Sequence, residues 1–263
     1  MLEPIQYVLG AGSGALVGFV LGLVGGGGSI LAVPLMVYLV GVKNPHVAIG
    51  TSALAVAANA LANLIPHARK GNVIWRCGGM YAFAGAIGAF AGSTIGKAFD
   101  GQKLLLLFAL LMLVVGVLMF KNRNDVGDPG ATCHRENAPK VIAYGSATGL
   151  FSGFFGIGGG FLIVPGLIAA THMPMVNAVG SSLVAIAAFG LSTSFNYALS
   201  GLVDWWLAAA FIGGGVVGGL DRNDRIDPAG TAKRHIEHAF CDADFRRCGL
   251  YDLSLSHRPV TRG

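Results

Sequence analysis

Two glycine runs carry the residues best suited to chemistry in this chain: Gly25-Gly26-Gly27-Gly28-Ser29 and Gly156-Ile157-Gly158-Gly159-Gly160. Glycine in a helix interior is unfavourable by about 1 kcal/mol relative to alanine, so runs of this kind predict that a helix opens there. The half-helix that resumes at Ser29 or Gly160 presents unpaired N–H groups and a positive dipole end, an arrangement suited to an anion. Hydroxyls follow a glycine at a second pair of places, Thr51 and Ser52 after Gly50, and Ser181 and Ser182 after Gly180. These can donate to an oxyanion, or bond within their own helix as buried hydroxyls commonly do. The candidate substrate-binding set is therefore Gly25, Gly26, Gly27, Gly28, Ser29, Thr51, Ser52, Gly156, Gly158, Gly159, Gly160, Ser181 and Ser182, with Pro34 and Pro165 as structural breaks. No catalytic residue, metal ligand or cofactor is predicted.

Competing chemistries lack their residues. A phosphate loop needs Lys-Ser/Thr after its glycines, and neither run supplies it. A dinucleotide fingerprint needs a βαβ context, and an intramembrane protease needs a Ser/His pair or paired aspartates. Proton relays in membranes use a buried Asp, Glu or His; here Asp204 sits beside Trp205 and Trp206, and His46, His67 and His172 fall near helix ends. Asn59, Asn63 and Asn196 suit interhelical hydrogen bonds or the lining of a site equally. The four cysteines, Cys77, Cys133, Cys241 and Cys248, show neither metal-ligand spacing nor a disulfide framework.

The elements that must position these groups are membrane helices. With 54% hydrophobic residues, 12% charged residues and 41 glycines in 263, and a mean hydropathy of +0.65, the first 220 residues are not a soluble domain. Apolar stretches near 6–24, 46–65, 74–98, 102–120, 140–155, 175–199 and 203–220 approach the roughly 20 residues that a bilayer-spanning helix requires. Shorter segments, 29–41 and 160–171, resume after the glycine runs. The N-terminal apolar run has no basic region before it, so it reads as a retained first helix. The net charge of +5 resides in short loops and a tail, which bears on orientation and not on nucleic acid.

The two glycine runs belong to longer echoes, GALVGFVLGLVGGGGSILAVP from Gly14 and GSATGLFSGFFGIGGGFLIVP from Gly145. Ala48-Ile49-Gly50-Thr51-Ser52 recurs as Ala178-Val179-Gly180-Ser181-Ser182, and Gly71, Val73 and Trp75 recur as Gly201, Val203 and Trp205. The expected organisation is all-α: a first transmembrane repeat over 1–120, a polar linker over 121–139, an incomplete second repeat over 140–220, and an aberrant polar tail over 221–263. An odd number of crossings per repeat would invert one repeat relative to the other. Glycine-broken segments at matching places in two repeats point to the substrate site of a secondary transporter.

The tail breaks this pattern within one residue of Leu220, where a last helix equivalent to 102–120 is expected. Translating the tail one base out of register permits a basic loop followed by an apolar span, with a glycine at position 222 matching Gly92 and a threonine at 223 opposite Ser93. A frameshift near Asp221 is the expectation, against a genuine polar tail.

On GLVGGGGSILAVP, its echo GFFGIGGGFLIVP, the two Gly-Thr/Ser-Ser segments and the ladder Gly85, Gly88, Gly92, Gly96, the chain resembles the sulfite exporter TauE/SafE family over residues 1 to about 220. The resemblance implies a multi-pass permease of the inner membrane, built from two repeats. It would move small anions such as sulfite, thiosulfate, organosulfonates or carboxylates. Its partners would be that anion and the lipid bilayer, with no nucleic acid, and it would not be an enzyme. An anion channel, or a membrane protein inactive for want of its last helix, is the alternative.

Overall fold

The computed structural model describes residues 4–121, 137–156, 158 and 160–225, with no strand among them. The described helices are α1 (Pro4–Val24), α2 (Ala32–Pro34), α3 (Pro45–Arg69), α4 (Trp75–Lys97), α5 (Gly101–Lys121), α6 (Ala138–Phe155), α7 (Gly160–Thr171), α8 (Met175–Leu199) and α9 (Trp205–Arg225). A 3-10 stretch, Gly25–Leu31, joins α1 to α2, and a π turn, Leu35–Leu39, follows Pro34. One compact unit covers Met1–Arg222. Of the seven spans expected, three combine length and apolarity sufficient to cross a membrane: Pro4–Gly22, Pro45–Arg69 and Met175–Leu199. α4 and α6 are diluted by glycine, serine and threonine, and α7 and the apolar part of α9 are short.

Local chemistry sets the helix ends. Asn44 caps α3, its side chain accepting from the His46 N–H at 3.0 Å, with Pro45 pre-set for the first turn. Asp204 does the same for α9, accepting from the Leu207 N–H at 3.0 Å. The left-handed Gly71 and Gly201 follow the ends of α3 and α8. α3 and α8 thus share both boundaries at an offset of 130 residues, Pro45–Arg69 and Met175–Leu199, as do the starts of α4 and α9, Trp75 and Trp205.

Glycine ladders bring helix backbones together. A Cβ on Gly14 would overlap the Phe211 carbonyl, one on Gly18 that of Gly215, and one on Gly218 that of Ala15. The same register joins α6 to α4: Gly149 meets the Gly85 carbonyl, Gly153 that of Ala89, and Gly92 that of Leu150. Rising numbers pair with rising numbers in both interfaces, so α1 runs parallel to α9 and α6 parallel to α4. This is small-residue packing, which lets backbones approach where hydrocarbon offers no hydrophobic drive.

The third member of each set is fixed in the same way. Gly215 and Gly219 lie against Asn59 and Asn63, placing α3 parallel to α9. Ser192 Oγ donates to the Ala86 carbonyl and Asn196 Nδ2 to that of Phe90, placing α8 parallel to α4. α3 and α8 run opposite ways, since Gly190 meets Ala53 and Ala57 whereas Tyr197 meets Gly50 and stacks on His46. Two sets result, α1–α3–α9 and α4–α6–α8, each co-directional internally and opposed to the other. Helices at matching sequence positions are therefore antiparallel, and α4 and α9 each pack in the set of the other half.

Lys97, in the last turn of α4, fastens α4 to α8. Its Nζ donates to the Asn196 carbonyl at 3.1 Å, to Asn196 Oδ1 at 2.8 Å and to Ser200 Oγ at 2.8 Å, satisfying carbonyl-rich helix ends. Cys77 is buried and disulfide-bonded, although the cysteine spacing shows no disulfide framework. Pairing of this kind depends on proximity that spacing does not reveal. The 226–263 part of the expected tail, most of the linker, Ile157 and Gly159 lie outside the described residues.

Candidate functional site at the two glycine breaks

The segment Gly25–Leu31 packs against α7 and α8, and α7 against α6 and α8, so the structure brings the two glycine breaks together. A shared apolar cluster confirms the junction: Val33 from beyond the first break, Phe155 and Phe161 flanking the second, Ile49 from α3 and Tyr197 from α8.

The breaks differ in backbone. At the first, Gly25, Gly26, Gly27, Gly28 and Ser29 do not open the chain; they wind as a 3-10 helix that runs into the α2 turn. Gly28 is there because a Cβ would overlap the Leu21 backbone, and Ser29 is fully buried. At the second, α6 ends at Gly156 with φ 67°, Gly158 follows at φ 69°, and α7 restarts at Gly160. Left-handed backbone is disfavoured for residues with a Cβ by about 1–2 kcal/mol, so these glycines are conformational requirements. A Cβ at Gly156 would in addition enter the Ile49 side chain.

The prolines act less abruptly than expected. Pro165 sits inside α7, which continues to Thr171. Pro34 ends α2, and a π turn, Leu35–Leu39, follows it.

The four hydroxyls separate into two roles. Gly156 meets Ile49 and Gly158 meets Val56, and Ser52 lies on that same face of α3 by helical spacing. Thr51 points away and accepts from the Asp204 N–H at 3.0 Å. Ser181 accepts from the Ile74 N–H at 2.9 Å, the matching bond in the other half. Ser52 Oγ donates to the Ile49 carbonyl at 3.0 Å and Ser182 Oγ to the Val179 carbonyl at 2.8 Å. All four are fully buried. The connection before α9 thus docks on Gly50 and Thr51, and that before α4 on Gly180 and Ser181.

Among the intrahelical amides, Asn196 Nδ2 donates to Ser93 Oγ and Thr94 Oγ1 across helices, and Asn63 Nδ2 to the Asn59 carbonyl within its own. Sequence reasoning missed Ser152 and Thr193. Both are fully buried, and neither hydroxyl has a hydrogen-bond partner among the described residues. Their signal in sequence was weak: one serine and one threonine among many in apolar helices. Among the described residues no group of three His, Cys, Asp or Glu could hold a metal ion.

Apolar helices packed through glycine, three of them long and apolar enough to cross a membrane, define an all-α membrane protein. Residues 10–220 match the family model described as sulfite exporter TauE/SafE, and the chain belongs to that family. A probable membrane transporter protein of Xylella fastidiosa (strain 9a5c) is 59% identical over 217 residues, covering 81% of this chain and 82% of that protein. The probable membrane transporter protein YunE of Bacillus subtilis is 27% identical, covering 82% and 86%, and one from Haemophilus influenzae is 30% identical, covering 72% of each. No solved structure matches. The chain is a membrane transporter of this family.

Proposed function

We propose that this transporter is a secondary carrier of small anions, of which sulfite, thiosulfate, organosulfonates and carboxylates are the candidate classes, working across the inner membrane as a multi-pass protein and without enzymatic chemistry. The observation that carries this reading is the meeting of the two glycine breaks, with the N-terminus of α7 starting at Gly160 inside the bundle. Freed N–H groups and a positive helix end there favour negative charge. The glycines of both runs form the cradle with the hydroxyls of Ser29, Ser52 and Ser182, while Thr51 and Ser181, placed in the candidate set by sequence, hold the connections before α9 and α4.

The chain arose by duplication, in this reading, and the two opposed helix sets supply the symmetry for alternating access. Trp75 and Trp205, both exposed, open antiparallel helices and anchor opposite interfaces, where tryptophan is enriched. The test is anion flux in proteoliposomes. Saturable sulfite or sulfonate flux is expected, and Gly27→Leu or Gly159→Leu should abolish it while the protein still inserts. Retained flux in either variant refutes the cradle, and flux that never saturates makes the protein a channel.

The reading frame after Leu220 belongs to the same proposal. Gly92 and Gly96 of α4 sit against the Leu150 and Phe154 carbonyls, while the corresponding positions 222 and 226 carry Arg and Ile, and the family match stops at residue 220. A one-base slip near codon 221 accounts for both. Resequencing the gene across codons 215–263 should reveal it; an intact frame refutes it.

A further inference from the structure

The two arms of that cradle are not equivalent: we infer that the principal donors to the anion come from the second break, from the start of α7 together with the Ser152 and Thr193 hydroxyls. This rests on the anion-carrier reading above. Three independent observations converge there.

Firstly, only the second break opens the helix, at left-handed Gly156 and Gly158, and so starts a new helix, α7, whose first turn lacks intrahelical acceptors. The first break stays wound as a 3-10 helix, which keeps its N–H groups engaged.

Secondly, Ser152 adjoins the opening. Its carbonyl accepts from the Gly156 N–H in the last turn of α6, yet its buried hydroxyl has no partner among the described residues. The residue at the matching place in the first half is Leu21, which offers no hydrogen bond.

Thirdly, Thr193 is at the level of the opening. α8 meets α3 at Ala53 and Ala57 through Gly190, and at Gly50 and His46 through Tyr197, which brackets Thr193. The second break meets α3 at Ile49 and Val56, which brackets the same stretch. Its hydroxyl is also fully buried and without a partner among the described residues, whereas the matching Asn63 already donates to the Asn59 carbonyl. Buried hydroxyls are normally hydrogen-bonded, and two orphans beside a helix N-terminus are the complement of an oxyanion, which accepts from both.

The deciding experiment is sulfite flux with the full chain in proteoliposomes, comparing wild type with Ser152→Ala, Thr193→Val, the hydroxyl-retaining Ser152→Thr and Thr193→Ser, and Ser13→Ala. Ser13 is an equally buried orphan on α1, in the other helix set. A lost hydrogen bond to a charged ligand should raise the half-saturating sulfite concentration about tenfold in each of the first two variants. The maximal rate should change less, and the hydroxyl-retaining variants and Ser13→Ala should stay within twofold of wild type. Flux in wild type that ignores both hydroxyls, or equal impairment in the hydroxyl-retaining variants, overturns the inference and leaves the carrier reading standing. No saturable flux in wild type refutes the carrier reading itself.

Discussion

The two glycine runs occupy matching places in sequence, yet Gly25–Leu31 is a tightened helix and the stretch from Gly156 to Gly160 is an opened one. Their neighbours explain the difference. At the first, Gly28 presses on the Leu21 backbone, holding the chain against the turn before it. At the second, Gly156 is thrust against Ile49 and Gly158 against Val56, so the chain leaves its own helix to lie along α3. A glycine run confers freedom without choosing how that freedom is used. The surrounding packing makes the choice.

The sharpest way to break this comparison is substitution within the runs. Gly156→Leu combines a left-handed residue, about 1–2 kcal/mol, with overpacking against Ile49, about 1–3 kcal/mol; destabilisation near 3 kcal/mol is expected. Gly25→Leu, at the matching place in a right-handed turn, lacks the first contribution. Thermal unfolding in detergent should rank Gly156→Leu well below Gly25→Leu, and equal midpoints would show that the breaks are alike.

The hydroxyl docks provide the opposite control, since they are matched in geometry. Thr51→Val removes the acceptor for the Asp204 N–H, and Ser181→Ala removes that for the Ile74 N–H. Each should destabilise by about 1 kcal/mol, the scale of a hydrogen bond between membrane helices, and by similar amounts. A large disparity in unfolding would mean that asymmetry extends beyond the breaks.

The smallest effect is expected at Gly12 in α1, where a Cβ would meet nothing within 4 Å. Gly12→Ala should be neutral or stabilise by up to about 1 kcal/mol. Loss of stability there would indicate that the glycines of α1 serve more than the close approach seen at Gly14 and Gly18.

Much was legible before any coordinates. Apolar length and composition announced membrane helices, and the matching segments announced corresponding helix boundaries, because each depends on residue type and spacing along one chain. The Thr51–Ser52 and Ser181–Ser182 pairs were visible as a motif but not as two roles. Adjacent residues on a helix point about 100° apart, and only the neighbours reveal what each one faces.

Lys97 illustrates the boundary from the other side. Its charge alone assigns no partner, and three acceptors gathered from α8 made it a fastening. Ser152 and Thr193 are ordinary in sequence and become conspicuous only when burial leaves them without partners. The sequence by itself determined that this is a glycine-rich, all-α membrane transporter with two corresponding sets of segments, because hydropathy and helix propensity are local. The opposed directions of the helix sets, the exchange of α4 and α9 between halves, and the opening of one break but not the other were decided by tertiary structure alone. Those depend on which backbones meet, and that is a property of residues far apart in the chain.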